Sequence, residues 1–190
     1  MPIKKQLHRG RFNAILLSGL PGSGKSTAAR ELSLLLGWPV FSVGGFFREQ
    51  WQEKYPQAEV AFEKYMEKMT LKEHTVMDKR ARKVFEQGHV IGDMHHGVAI
   101  TKGLPVLQVF ISAPLELRAQ RAIHTGRFPG KSAKQIIKIL SEREMTVLGV
   151  AQKIYGKAYD FRDPSGYHVT VNSGLLTVKE KITVVMSFFS

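Results

Sequence analysis

The sequence predicts an α/β fold built on a parallel sheet, and three observations lead to that prediction. Short apolar runs alternate with helical patterns along the 190 residues of the chain. A glycine-rich turn connects the first apolar run to the first helical pattern. Hydrophobic residues make up 43% and charged residues 23% of the chain, which excludes the disordered and fibrous classes. The length favours a single domain over residues 1–190.

The predicted elements follow from the local period of apolar residues. The first strand, over 13–18, precedes a helix over 26–36 in which apolar residues recur at helical spacing. Further strands are predicted at 38–42, 89–93, 107–112 and 168–172. Charged helices are predicted between 46 and 87 with a break at Pro56, and over 133–152 with Gly149 as a candidate interruption. Residues 178–189 complete the pattern as a last helix or helix–strand piece.

Residues 19–26 (GLPGSGKS) fit the P-loop pattern G-x-x-x-x-G-K-[ST]. Glycines let successive backbone N–H groups line a nest around a phosphate, and the helix that follows adds its free N–H groups. Lys25 is expected to reach the β- and γ-phosphates, and the Ser26 hydroxyl to ligate Mg²⁺. The predicted nucleotide-binding residues are Gly19, Pro21, Gly22, Ser23, Gly24, Lys25, Ser26 and Thr27. ATP with Mg²⁺ is therefore the predicted ligand.

Charge and composition restrict the partners and the compartment. Lys and Arg number 28 against 16 Asp and Glu, so the net charge of +12 favours phosphates, nucleic acid or an anionic membrane surface. No apolar run reaches the ~18–20 residues of a membrane span, so we expect a cytoplasmic protein without a membrane partner. We expect a monomer or a weak dimer. The absence of Cys excludes a disulfide framework, a Cys-ligated zinc site and a thiol nucleophile.

Basic residues near the predicted site suggest how a phosphoryl group is accepted. The segment from Ser42 to Arg48 follows the second strand, at the carboxyl edge where such sheets bind ligands, and Arg48 suits a phosphate there. Arg118 and Arg121 lie three apart on one helix; we favour Arg121 as functional and expect its partner to be solvated or salt-bridged. The basic loop 127–131, which begins with Arg127, and Arg143 are expected to close over the phosphates.

Acids are scarce around this predicted site. Asp93 ends the third predicted strand and is a candidate for orienting the Mg²⁺ waters, or else a turn residue bonded to its own backbone. The following pair, His95 and His96, is expected in a turn with exposed rings, and the charged run 78–83 on an exposed helix face. More arginines than acids near the site favour a phosphate acceptor, a nucleoside monophosphate, over an alcohol.

An ordered set of segments resembles one kinase family. The P-loop, 42–49 (SVGGFFRE), 110–121 (FISAPLELRAQR), 141–144 (SERE), 154–156 (IYG) and 171–173 (VNS) together resemble the archaeal-type cytidylate kinase-like branch of the nucleoside monophosphate kinases. The resemblance implies a three-layer P-loop kinase with a five-stranded parallel sheet, a helical monophosphate-binding insert at about 45–82 and a lid at about 124–150. It implies ATP as donor and CMP or dCMP as acceptor, with Arg48 on the acceptor phosphate and lid-side charge from Arg121 with Arg127 or Lys131.

The chain departs from that family pattern on the acceptor side. Gly45 stands where the family carries an acid after the second strand, and Met94 where it carries an acceptor-binding arginine. Val150 replaces a lid arginine. Two alternatives therefore stay open: a degenerate nucleotide-binding relative that also binds RNA, and a P-loop kinase for another small metabolite.

Overall fold

The structure of the protein, a computed structural model, describes residues 11–57 and 62–189. Its centre is a sheet of five parallel strands in the order β2-β3-β1-β4-β5. The strands are β1 (Ala14–Gly19), β2 (Val40–Ser42), β3 (Ile91–Asp93), β4 (Val106–Ser112) and β5 (Val169–Asn172). This arrangement confirms the predicted α/β fold and the five-stranded parallel sheet.

Helices cover both faces of the sheet. They are α1 (Lys25–Leu36), α2 (Val43–Lys54), α3 (Phe62–Glu67), α4 (Leu71–Gln87), α5 (Gly97–Thr101), α6 (Leu115–His124), α7 (Ala133–Tyr155) and α8 (Val178–Met186). Short 3₁₀ turns occupy Pro164–Gly166 and Ser187–Phe189. Capping boxes begin α4, α7 and α8, so the sequence itself specifies where these helices start. Within the described ranges, no helix is long and apolar enough to span a bilayer.

The central strand β1 is buried along all six residues, because helices pack on both of its faces. Alternate side chains point to opposite faces. Ile15 and Leu17 join a core with α1 and α8, whereas Leu16 joins a second core with Phe85 of α4. Truncating one of these buried side chains to alanine costs about 2–5 kcal/mol of folding free energy. The sheet is thus packed on both faces at the edge where β1 leads into the P-loop.

Predicted boundaries differ from the observed elements by about one to three residues. β2 begins at Val40 rather than at Trp38, and β3 begins at Ile91 after His89 adopts a left-handed φ of 52°. The expected interruption at Gly149 is wrong, since α7 runs unbroken through it. A glycine costs a helix only about 1 kcal/mol, which packing along a long helix offsets. The predicted helix break near Pro56 is confirmed, because α2 ends at Lys54.

Candidate active site

The P-loop connects the carboxyl end of β1 to α1. Gly19 adopts a φ of 140°, and a Cβ at this position would collide with the carbonyl group of Ile111 on β4. Gly24, the residue before α1, has a φ of 94° and no side chain to cap the helix. The first N–H groups of α1 are therefore not satisfied by a side-chain cap and remain suited to an anion.

Lys25 is buried with its ammonium group folded back onto the loop. Its Nζ donates to the carbonyl oxygens of Gly19 at 3.0 Å and Leu20 at 2.9 Å. Burial lowers the pKa of Lys25 to about 8; the charge of Asp93 raises this pKa, and the charges of Arg143 and Arg127 lower it further. A bound polyphosphate would supply the negative charge that this crowded cation lacks.

Ser26 and Asp93 form the oxygen pair expected of a metal-assisted phosphoryl transfer site. The Ser26 hydroxyl donates to Asp93 Oδ2 at 2.6 Å, because β3 lies beside β1 and ends next to the P-loop. Asp93 is buried, with 7% of its surface exposed. Hydroxyl and carboxylate oxygens are the donors that Mg²⁺ prefers, so this pair fits the ion. Among residues 11–57 and 62–189, no cluster of three or more His, Asp or Glu forms a protein-only metal cage.

A cavity of about 530 Å³ opens above the P-loop and brings most of the predicted residues together. The predicted residues on its wall are Pro21, Gly22, Gly24, Lys25, Ser26, Thr27, Ser42, Arg48, Asp93, Arg127 and Arg143. The wall does not include Gly19, Ser23 or Arg121. One cavity is thus lined by residues from the P-loop, α2, β3 and α7.

Arg121 lies beside the P-loop but outside this cavity. Its NH1 donates to Ser173 Oγ at 2.8 Å and to the Ser23 carbonyl at 3.4 Å, and its NH2 donates to the Ser173 carbonyl at 2.6 Å. It therefore connects the P-loop to the turn after β5. Its predicted catalytic role stays a prediction.

Arg118 is the salt-bridged member of the two helix arginines, as expected. Its NH2 lies 3.1 Å from Glu144 Oε2 on α7, and its NH1 donates to the Pro21 carbonyl at 3.2 Å. Only 4% of Arg118 is exposed. The residue thereby ties the P-loop to α7.

Two arginines on the cavity wall converge on one aromatic ring of the same wall. Arg48 lies 5.3 Å and Arg143 lies 5.7 Å from the centroid of Phe62. Ser42 Oγ accepts from the Gly45 N–H at 3.1 Å and so caps α2. A Cβ on Gly45 would lie 3.2 Å from Ser42 Oγ, which gives a steric reason why this cap and a side chain at position 45 compete.

A polar cluster that no sequence pattern predicted lies at the same cavity, and its members His74, Asp78 and His96 line the wall. Asp78 accepts from the Tyr155 hydroxyl and lies 3.4 Å from His96 Nε2. His74, one turn before Asp78, lines the same cavity. The pKa of His74 is lowered, and burial is the main cause. This cluster of His74, Asp78, His96 and Tyr155 is called the polar cluster below. No local sequence pattern unites its members, which come from α4, the turn after β3 and α7.

One expectation about this region is wrong, and a second holds only in part. His95 and His96 are not exposed: His95 Nδ1 lies 2.7 Å from the Gly19 carbonyl oxygen, and the His96 side chain is 14% exposed. In the run 78–83, Lys79, Arg80 and Lys83 are exposed as expected, but the Asp78 side chain is only 12% exposed. The helical period of α4 places Asp78 on the same side as the buried residues Met77 and Ala81. The many charged residues of the run 78–83 hide this period in the sequence.

The positions that depart from the family pattern also lie on the cavity wall. Met94 is 4% exposed and packs in the core beneath the cavity, while Val150 lines it from α7. Both supply apolar surface where an arginine was expected. The arginines on the cavity wall are instead Arg48, Arg127 and Arg143.

Comparisons with known proteins agree with this geometry. Residues 18–125 match the family described as an AAA domain. A cytidylate kinase of Desulfurococcus amylolyticus is 30% identical over 184 residues, covering 91% of this chain and 90% of the relative. A cytidylate kinase of Pyrobaculum aerophilum is 29% identical over 174 residues, covering 92% and 91%.

Solved structures share the fold at low sequence identity. A shikimate kinase from Acinetobacter baumannii superposes with a TM-score of 0.58 at 17% identity, covering 93% of this chain and 92% of that one. A gluconokinase from Sinorhizobium meliloti also gives 0.58, at 13% identity, covering 95% and 93%. These likenesses concern the fold alone.

Proposed function

Because the chain belongs to the AAA domain family and to the cytidylate kinase-like branch of the P-loop kinases, we propose that it phosphorylates CMP or dCMP with ATP and Mg²⁺. The single observation that carries the proposal is the shared cavity. The P-loop, the Ser26–Asp93 pair and the two arginines over Phe62 all line this one cavity.

The donor half would act through charge and position. The P-loop amides and Lys25 would hold the triphosphate, and Ser26 with Asp93 would hold Mg²⁺, which neutralises charge on the phosphates. Arg127 and Arg143 are near enough to depress the pKa of Lys25, so their charges act on the same region. During transfer the bond between the γ-phosphorus and its bridging oxygen breaks, and a bond to an acceptor phosphate oxygen forms. No base is needed for an acceptor that is already ionised.

The acceptor half would bind the phosphate through its arginines and the base through the polar cluster. Arg48 and Arg143 converge on Phe62 and suit a phosphate. The Asp78 carboxylate has about four lone-pair sites, of which Tyr155 and His96 use two. The remaining acceptors suit an exocyclic amino group, which cytosine carries and uracil lacks. This supports a cytidine rather than a uridine nucleotide.

The experiment is release of ADP from ATP with CMP, dCMP, UMP, AMP, GMP, shikimate, gluconate or no acceptor. We expect stimulation by CMP or dCMP above the rest. Arg48→Met should raise the KM for the acceptor by about tenfold, because it removes one charge-assisted hydrogen bond to the acceptor phosphate. The control, Lys54→Met on the same helix, should leave this KM unchanged. Asp78→Asn should narrow the preference for CMP over UMP. Stimulation by shikimate or gluconate alone would refute the proposal and would indicate that the acceptor is a hydroxyl group.

A second candidate function rests on the net charge of +12, which favours a nucleic acid partner. A degenerate relative of this kind would bind RNA with an affinity that falls steeply with salt. The same preparations would show no acceptor-stimulated release of ADP. Release stimulated by CMP without salt-sensitive RNA binding would eliminate this candidate.

A further inference from the structure

A second buried cation reaches the P-loop from the carboxyl-terminal helix. Lys181 of α8 is 4% exposed. The point where a Cβ of Gly24 would lie is 3.8 Å from Lys181 Nζ and also 3.8 Å from Arg121 NH1. Two positive side chains therefore meet beside the residue that precedes α1.

The position of Lys181 is fixed by packing. Ile182 and Val185 of α8 join the core that contains Ala28 and Ala29 of α1. Because α8 is packed on α1, Lys181 has little freedom to move away from the P-loop. Its buried stem holds the ammonium group at the start of α1 rather than in bulk solvent.

Among residues 11–57 and 62–189, this pair of cations has no carboxylate partner. Arg121 bonds to the oxygens of Ser23 and Ser173, which carry no net charge. In the part of the chain that the structure describes, no carboxylate forms an ion pair with Lys181 or Arg121. The adjacent Glu180 is turned away and caps α8, with its Oε2 2.8 Å from the Thr177 N–H.

The electrostatics of the free protein are consequently unfavourable at this point. Burial lowers the pKa of Lys181, and the positive charge of Arg121 lowers it further. The amino end of α1 adds the positive end of a helix dipole to the same place. Lys181, Arg121 and the amino end of α1 are thus three sources of positive charge in one place. A bound anion would reduce the repulsion among them.

We propose that Lys181 binds the nucleotide donor. With Arg121 it forms a cationic pair that contacts the phosphate chain on the flank of the P-loop, outside the cavity that Lys25 and Arg48 line. The inference rests on the proposed function only for the donor half, since it requires a nucleotide on the P-loop and no particular acceptor. It assigns a role to a residue of the last helix that the P-loop motif does not include.

The test compares Lys181→Met with Lys179→Met, an exposed lysine on the same helix. Melting temperatures are measured without ligand and with ATP, tripolyphosphate or adenosine, in the absence of any acceptor. We expect Lys181→Met to raise the melting temperature of the free protein, because one of two repelling charges is removed. It should weaken binding of ATP and of tripolyphosphate by about tenfold and leave the effect of adenosine unchanged. Lys179→Met should match the original protein.

Several outcomes overturn the proposal. One is an unchanged affinity of Lys181→Met for ATP and tripolyphosphate. Another is a lowered melting temperature or a failure to fold, since either shows that the lysine stabilises the free protein. The Lys181→Arg variant should keep the affinity for ATP, and a tenfold loss there would also overturn the charge-based role. Failure of the proposed function looks different: the original protein then binds ATP in a Lys181-dependent way but CMP does not stimulate release of ADP.

Discussion

The ion pair between Arg118 and Glu144 connects the P-loop to α7, and its removal gives the sharpest test of the fold. In Arg118→Met the carbonyl oxygens of Pro21 and Ala113 lose their guanidinium donor. Among the described residues, Glu144 then keeps one ion pair, with Arg162 at 3.4 Å. Removing one partner of a buried pair costs about 3–5 kcal/mol, and here the cost comes from the two carbonyl oxygens left without a donor and from the half-buried Glu144 carboxylate, which loses its shorter ion pair.

This cost is large enough to measure by calorimetry. For a chain of this size, 1 kcal/mol corresponds to about 2–4 °C, so the melting temperature should fall by about 6–20 °C. The control is Lys138→Met, which removes an exposed pair with Glu142 whose side chains are 77% and 63% exposed. We expect this control to change the free energy of unfolding by about 1 kcal/mol or less. Equal losses in the two variants would refute the reasoning from burial.

Three further predictions concern the P-loop. Since Lys25 has a pKa lowered to about 8 and only its charged form pairs with phosphate, kcat/KM for ATP should fall as pH rises above about 8; a profile flat to pH 10 contradicts this. Gly19→Ala should cost at least about 1–3 kcal/mol in urea unfolding, because the new Cβ meets the Ile111 carbonyl at a positive φ, and an unchanged midpoint counts against it. Asp93→Asn should lower the rate by about 100-fold and weaken the response to Mg²⁺ while Ser26 stays hydrogen-bonded, as a Mg²⁺ titration of ADP release would reveal.

Much of the donor half was predictable because its determinants are local. The eight residues of the P-loop are contiguous, and the strand and helix that flank it have clear periods. Parallel strands end at one edge of the sheet, so the position of Asp93 near Ser26 also followed from its place at the end of a strand. A short pattern sufficed there because neighbouring residues in sequence are neighbours in space.

The acceptor half was predicted less well because its contacts join distant segments. Asp78 and Tyr155 are 77 positions apart, and no pattern in either segment indicates the other. His96 was expected to be exposed, because a turn after a strand is ordinarily solvated. The packing of α4 and α7 over this turn buries it instead.

By itself, then, the sequence determined the parallel sheet and the P-loop, with its lysine and serine at fixed positions, since these depend on local period and on contiguous residues. Only the tertiary structure decided which arginines line the cavity, that Arg121 is held by Ser173, and that Lys181 reaches Gly24. The physical reason is that burial and charge environment are set by elements far apart in the chain. Their packing creates the surroundings that no single segment contains.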